Sequence, residues 1–191
     1  ELDGKTIEAL PGESILQAAQ RTGSEIPHLC YKAGYRPDGN CRACVVEIDG
    51  ERVLAPSCCR NPKEGMQVNS QSERALHSQK MVVELLLSDM PEQGKSPYMQ
   101  RSELDIWAEK LGVVQPRFAG RQQPIQDISH SAISVQLDAC IQCTRCVRAC
   151  REVQVNDVIG MSGRGHDTFP TFDMADPMGA STCVACGECV Q

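Results

Sequence analysis

The sequence predicts an α+β chain made of two small cysteine-rich domains with a helical connector between them. Three observations predict it. Twelve cysteines fall into two groups, within residues 30–59 and 140–189, with none between Cys59 and Cys140. The first 75 residues set short β-branched runs between Asp-Gly turns. Residues 73–90 repeat apolar side chains at helical spacing. Aromatic content is only 4%, low for one large packed core. Cysteine can substitute for such a core through disulfides or through metal, and spacing decides between them.

Residues 1–75 read as a small mixed α/β domain. Asp3-Gly4 is a hairpin-turn signal. Ser14 is a candidate cap for a helix over residues 15–21, and Gly23 is its candidate end. Val45, Val46 and Ile48 form a strand, followed by the Asp49-Gly50 turn and a second short strand near Val53-Leu54. Gly65-Met66-Gln67-Val68 suggests a last strand.

This domain carries the pattern C30-x10-C41-x2-C44-x13-C58. A long first loop, a C-x2-C pair and a distant fourth thiol suit a [2Fe–2S] cluster on a β-grasp fold, although the plant-type first interval is shorter. Gly34 and Gly39 let the loop backbone close on a cluster. Backbone N–H groups there can donate to sulfur and tune the potential. Cys58 and Cys59 are adjacent, and one of them is the fourth ligand. Cys58 is favoured by its register to Glu64-Gly65-Met66, leaving the other as a small buried residue.

Residues 76–134 form the connector. The helix over ERALHSQKMVVELLLSDM places Leu76, Val83, Leu86, Leu87 and Met90 on one face, and Pro91 marks its end. A second short helix covers Glu103 to Leu111 and carries Trp107 as a packing anchor. Residues 112–134 are rich in Pro, Gln, Ser and Gly, which reads as a linker or an extended segment.

Residues 135–191 are organised around cysteine again. CIQCTRCVRAC gives C-x2-C-x2-C-x3-C, and its triplet at 140, 143 and 146 recurs at 183, 186 and 189. In two-cluster ferredoxins the fourth Cys of such a run ligates the other cluster. Applied to this sequence, Cys150 joins Cys183, Cys186 and Cys189 on one [4Fe–4S] cluster. Cys140, Cys143 and Cys146 hold the second, whose fourth ligand is expected four residues after Cys189, past residue 191. The domain is therefore expected to be bacterial-ferredoxin-like and truncated. Arg151 stands where the usual run has Pro. Zinc fits two tight triplets poorly, and disulfides do not suit a cytoplasmic protein.

The remaining residues offer no second chemistry. His28 reads as a residue beside a ligand or at the surface, and His77 as solvent-facing; His130 and His166 have no Cys at ligand spacing. Arg145, Arg148 and Arg151 read as a solvated helix face, with raising a cluster's potential or contacting a partner as the alternative. No G-x-G-x-x-G, phosphate loop, acid/base pair or nucleophile–His arrangement is present, so no catalytic residue is expected in this segment. A net charge of −6 disfavours nucleic acid. No run of roughly eighteen apolar residues exists to span a membrane. Without a basic and then apolar leader the chain reads as cytoplasmic. Both ends look cut from a longer polypeptide.

The domain order and the cysteine patterns resemble the N-terminal region of three related families. These are the large iron–sulfur subunit of complex I, the iron-only hydrogenases and the alpha subunit of soluble NAD-dependent formate dehydrogenases. The resemblance covers essentially the whole chain. Complex I subunits and many hydrogenases carry an H-x3-C-x2-C-x5-C cluster between the two domains, which this sequence lacks. SELDIWAEKLGV, QDISHSAISVQLDACIQCTRCVRACREVQVNDVIG and DPMGASTCVACGECVQ look most like the molybdenum-dependent formate dehydrogenase. That resemblance implies a downstream domain with molybdopterin guanine dinucleotide and Mo or W, oxidising formate to CO2 or the reverse. It implies a partner subunit with FMN, NAD and iron–sulfur clusters, small accessory subunits and a hetero-oligomer. The same relay in an NAD-linked hydrogenase or complex I-like subunit is the alternative. A structural zinc-binding module is the alternative of another class.

Overall fold

The computed structural model describes residues 1–91, 101–122 and 126–191. Part of the expected connector, residues 92–100 and 123–125, lies outside the described residues. The chain divides into two compact units, Glu1–Tyr31, Pro37–Leu87 and Arg101–Pro116 in one, and Lys32–Arg36, Ser88–Gln100 and Arg117–Gln191 in the other.

The first unit sets a helix on a small antiparallel sheet. Helix α1 (Ile15–Arg21) begins with a complete capping box. Gln17 N–H donates to Ser14 Oγ while the Gln17 side chain accepts the Ser14 N–H. The sheet has the order β2-β1-β3, from β1 (Val45–Ile48), β2 (Ala55–Pro56) and β3 (Val68–Asn69). Val45 faces Pro56 and Ile48 faces Val68. Asp3 and Gly4 make the expected turn at φ 48° and 78°, so that Leu2 bridges Lys5 and also pairs in parallel with Val68. The second strand lies at Ala55–Pro56 rather than at Val53-Leu54, and Val53 is exposed. The third is shorter than its four-residue sequence signal. Leu2, Leu16, Ile26, Val46 and Ile48 make the core, and Cys44 and Cys58 are part of it.

Because β3 stops at Asn69, the ladder has no donor for the Val45 carbonyl on that side. Ser57 N–H bonds the Cys44 carbonyl, so Val45 directs its own polar groups away from β2. Gln79 of α2 (Glu73–Ser88), only 1% exposed, supplies the donor through Nε2 at 2.9 Å. Helix α2 thus buries Ala75, Gln79, Val83 and Glu84. Leu76, Leu86, Leu87 and Met90 are only half-buried, so the expected apolar stripe is right in period and displaced around the helix. Helix α3 (Glu103–Leu111) is capped by a Ser102–Asp105 box and closed by Gly112 at φ 68°. Trp107 packs against His28, with ring centroids 5.8 Å apart.

The second unit holds the hairpin β4 (Ile159–Ser162) and β5 (Phe169–Phe172), with Ile159 opposite Phe172. No strand is expected there from the sequence. Helix α4 (Arg145–Arg148) continues through a single π turn, Ala149–Val153. Val147, Cys150, Val158, Ile159, Phe172 and Met178 form its core.

Candidate metal centres

Four thiols of the first unit meet within it. Cys30 lies in the loop after α1, Cys41 and Cys44 lead into β1, and Cys58 sits in the 3-10 turn that follows β2. Cys30, Cys44 and Cys58 are buried, Cys58 at 0% exposure. Thiol–thiol hydrogen bonds link Cys30 with Cys41 and Cys58, and Cys44 with Cys58. The Cys30 N–H also donates to Cys41 Sγ at 3.4 Å. The bonds from Cys41 and Cys58 pull Cys30 far below the ordinary thiol range. Cys58 likewise draws Cys44 down to about 7. The same bonds push Cys41 and Cys58 upward, with burial adding to the rise. Thiols packed this closely act on one another's protons, and a cationic core that takes all four as thiolates would satisfy them together.

Cys59 is exposed, not the buried neighbour expected, although its Sγ is 3.5 Å from that of Cys58. Gly39 approaches it closely. A Cβ on Gly39, at φ 64°, would lie 2.9 Å from Cys59 Sγ, so glycine is favoured by conformation and a side chain there would have to displace the Cys59 thiol.

In the second unit the sequence doubling is also a backbone doubling. Gln142 and Thr144 in the first triplet have φ 57° and 60°, and Ala185 and Gly187 in the second have φ 55° and 78°. Gln142 N–H donates to Cys140 Sγ at 3.3 Å, and Ala185 N–H donates to Cys183 Sγ at 3.4 Å. Arg42, between Cys41 and Cys44, is left-handed too, at φ 59°. A left-handed non-glycine residue costs roughly 1–2 kcal/mol. The left-handed residue turns the backbone, and in both triplets an amide then donates to a cysteine sulfur, as a metal-sulfur core with amide-to-sulfur bonds requires.

The cavity beside Cys150 belongs to the second triplet. Cys150 lines it with Cys183, Cys186 and Cys189, and Ile133 and Val158 close it. Val158 N–H donates to Cys150 Sγ at 3.3 Å. Burial first, and then the neighbouring thiolates Cys143 and Cys140, push Cys146 up to about 12. Burial likewise raises Cys140 and Cys189. Among the described residues, no three Cys, His, Asp or Glu side chains converge on one ion position.

Several residues around these thiols carry no sequence signal. Arg148 is 3% exposed, contrary to a solvated helix face, and donates to the carbonyls of Arg36 (2.7 Å) and Cys143 (3.3 Å). Arg151 does face solvent and pairs with Asp157 at 2.5 Å. Tyr35 donates to Glu188, within the second triplet, at 2.9 Å. Arg121, in the expected linker, is buried against the first triplet's loop. Outside the thiols, His77 is exposed as expected, and His166 bonds Asp89 at 2.8 Å.

Residues 1–73 match a family model described as a 2Fe-2S iron-sulfur cluster binding domain. Residues 131–176 match one described as the ferredoxin-like domain of NADH-quinone oxidoreductase subunit 3. The NADP-reducing hydrogenase subunit HndD of Solidesulfovibrio fructosivorans is 36% identical over 99% of this chain and 34% of its own length. The mitochondrial NADH-ubiquinone oxidoreductase 78 kDa subunit of Candida albicans is 31% identical over 87% of this chain and 24% of its own. The chain thus spans about a third or less of these curated relatives. A chain in the crystal structure of an NAD+-reducing [NiFe]-hydrogenase in the H2-reduced state superposes with TM-score 0.87 at 28% identity, over 97% of this chain and 79% of that one. The α+β chain therefore carries a 2Fe–2S cluster binding domain followed by a ferredoxin-like domain, both of kinds found in subunits of multisubunit NAD(P)-linked oxidoreductases.

Proposed function

We propose that this chain is the iron–sulfur electron-relay segment of an NAD-linked oxidoreductase complex. Cys30, Cys41, Cys44 and Cys58 hold a [2Fe–2S] cluster. Cys150, Cys183, Cys186 and Cys189 hold one [4Fe–4S] cluster, and Cys140, Cys143 and Cys146 contribute three ligands to another. These groups supply one-electron chemistry when bound. The protein's own contribution is to fix the thiolates, aim amides at sulfur and exclude water. The observation that carries the reading is the repeated left-handed backbone at the C-x2-C turns, with amides donating to sulfur in both triplets.

For the catalytic end, the reading is a molybdenum-dependent formate dehydrogenase. Its electrons pass from a downstream molybdopterin site through this segment to a cytoplasmic partner subunit with FMN and NAD. The lack of any cysteine between Cys59 and Cys140 supports it. The identity to a hydrogenase subunit supports the second reading, the same relay serving a hydrogenase. The assembled complex separates the two. NAD+ reduction by formate and not by H2 supports the first, and the reverse result replaces it with the second. No reduction by either removes both.

A further inference from the structure

Arg121 is a buried cation whose partners are all neutral. It is 9% exposed. One terminal nitrogen donates to the carbonyls of Cys140 (2.8 Å) and Leu137 (3.1 Å), and the other reaches the Thr168 carbonyl at 3.5 Å. Its Nε is buried with no hydrogen-bond partner. No carboxylate pairs with its guanidinium among the described residues; Asp89 bonds only its backbone N–H, at 2.9 Å. A buried guanidinium left with carbonyls alone is costly unless a negative charge lies close by. The loop it grips is the one that bears Cys140. A second buried cation, Arg148, grips the carbonyl of Cys143 in the same loop. The opposite sign is found in the other triplet, where Glu188 lies between Cys186 and Cys189 in the chain and accepts from Tyr35.

We propose that Arg121 is the counter-charge of the cluster held by Cys140, Cys143 and Cys146, and that it keeps this cluster's midpoint potential above that of the cluster at Cys183–Cys189. The inference rests on the relay reading above. One-electron reduction adds one negative charge to a thiolate-bound cluster, so a nearby cation favours the reduced form and a nearby carboxylate disfavours it. The order of potentials then follows from the placement of charge, which the ligand pattern alone does not give.

The test is a redox titration followed by EPR on the intact protein with its clusters loaded. R121M removes the charge and keeps much of the shape, and R121K keeps the charge. R121M should lower one [4Fe–4S] midpoint by about 59 mV, a tenfold change for a one-electron couple. It should leave the other two centres unmoved, and R121K should stay near the wild type. Equal shifts in all centres, no shift, or an R121K that falls as far as R121M would overturn the proposal. Should R121M lose the cluster, the wild type still decides. The [4Fe–4S] signal that survives Cys150→Ser must be the one of higher potential, and the reverse order overturns the proposal. A wild type with no [4Fe–4S] signal at all would instead remove the relay reading.

Discussion

Asp127 makes a sharp test of how the second triplet is positioned. Its carboxylate accepts the Met178 N–H at 2.7 Å and the Ser129 N–H at 2.9 Å. Its backbone exchanges two hydrogen bonds with Val135, at 3.0 and 2.8 Å. Met178 is buried in the core that also holds Cys150, and the turn it opens, Met178–Ala180, leads directly to Cys183. The bond to Met178 and then those to Ser129 hold Asp127 below the ordinary aspartate range. A hydrogen bond to a charged group contributes about 1.5–3 kcal/mol, less where the group is partly solvated. Asp127→Ala should therefore cost about 2 kcal/mol and lower the melting temperature by roughly 4–8 °C in a chain of this size. Asp127→Asn keeps an acceptor oxygen and should lose about half as much. The folded-state pKa is depressed, so the stabilisation is complete above about pH 3.9 and is lost as pH falls through the folded value. At pH 7 it is fully present, and anaerobic thermal denaturation followed by circular dichroism should be run there. The same variant should release iron from the 183–189 site sooner than from the [2Fe–2S] site. An Asp127→Ala protein within about 0.5 kcal/mol of wild type, or equal loss at both sites, would refute the reasoning.

Other consequences are as direct. Cys150→Ser should abolish or distort the [4Fe–4S] signal of the 183–189 triplet more than that of the 140–146 triplet; loss of only the latter in EPR contradicts cross-ligation. Cys58→Ser should remove the [2Fe–2S] absorption and EPR signal, while Cys59→Ser should retain both, because Cys58 is buried and bonds Cys30 and Cys44 whereas Cys59 is exposed. Leu16, fully buried at 0% exposure in the core shared with Cys44 and Cys58, should cost about 2–5 kcal/mol as Leu16→Ala in equilibrium unfolding. Val53→Ala, at an exposed position, should stay within about 0.5 kcal/mol of wild type.

What the sequence disclosed was whatever rests on local chemistry. Ser14 and Gly23 mark α1 because caps and left-handed closures recruit particular residue types. The thiol spacings are the source of the ligand sets proposed for the three clusters. The hairpin of β4 and β5 was not legible, since Pro170 sits inside β5 and weakens its strand signal. Nor were the left-handed turns at Arg42, Gln142, Thr144 and Ala185, which use residues that ordinarily avoid that region. Arg148 was misread because burial of an arginine depends on distant carbonyls, here those of Arg36 and Cys143. Arg121 escaped notice for the same reason, lying in a Gly- and Gln-rich stretch with no pattern of its own. The stripe of α2 shows the limit of periodicity, which finds a helix without fixing which neighbour, Leu76 or Ala75, faces the core.

The central claim is that the thiols serve iron–sulfur clusters. The most direct measurement is the iron, zinc and acid-labile sulfide content of anaerobically purified protein, with EPR of the reduced sample. Iron with matching sulfide, and distinct [2Fe–2S] and [4Fe–4S] signals, is the predicted result. Zinc without sulfide would contradict it, and the electron-relay reading would fall with it.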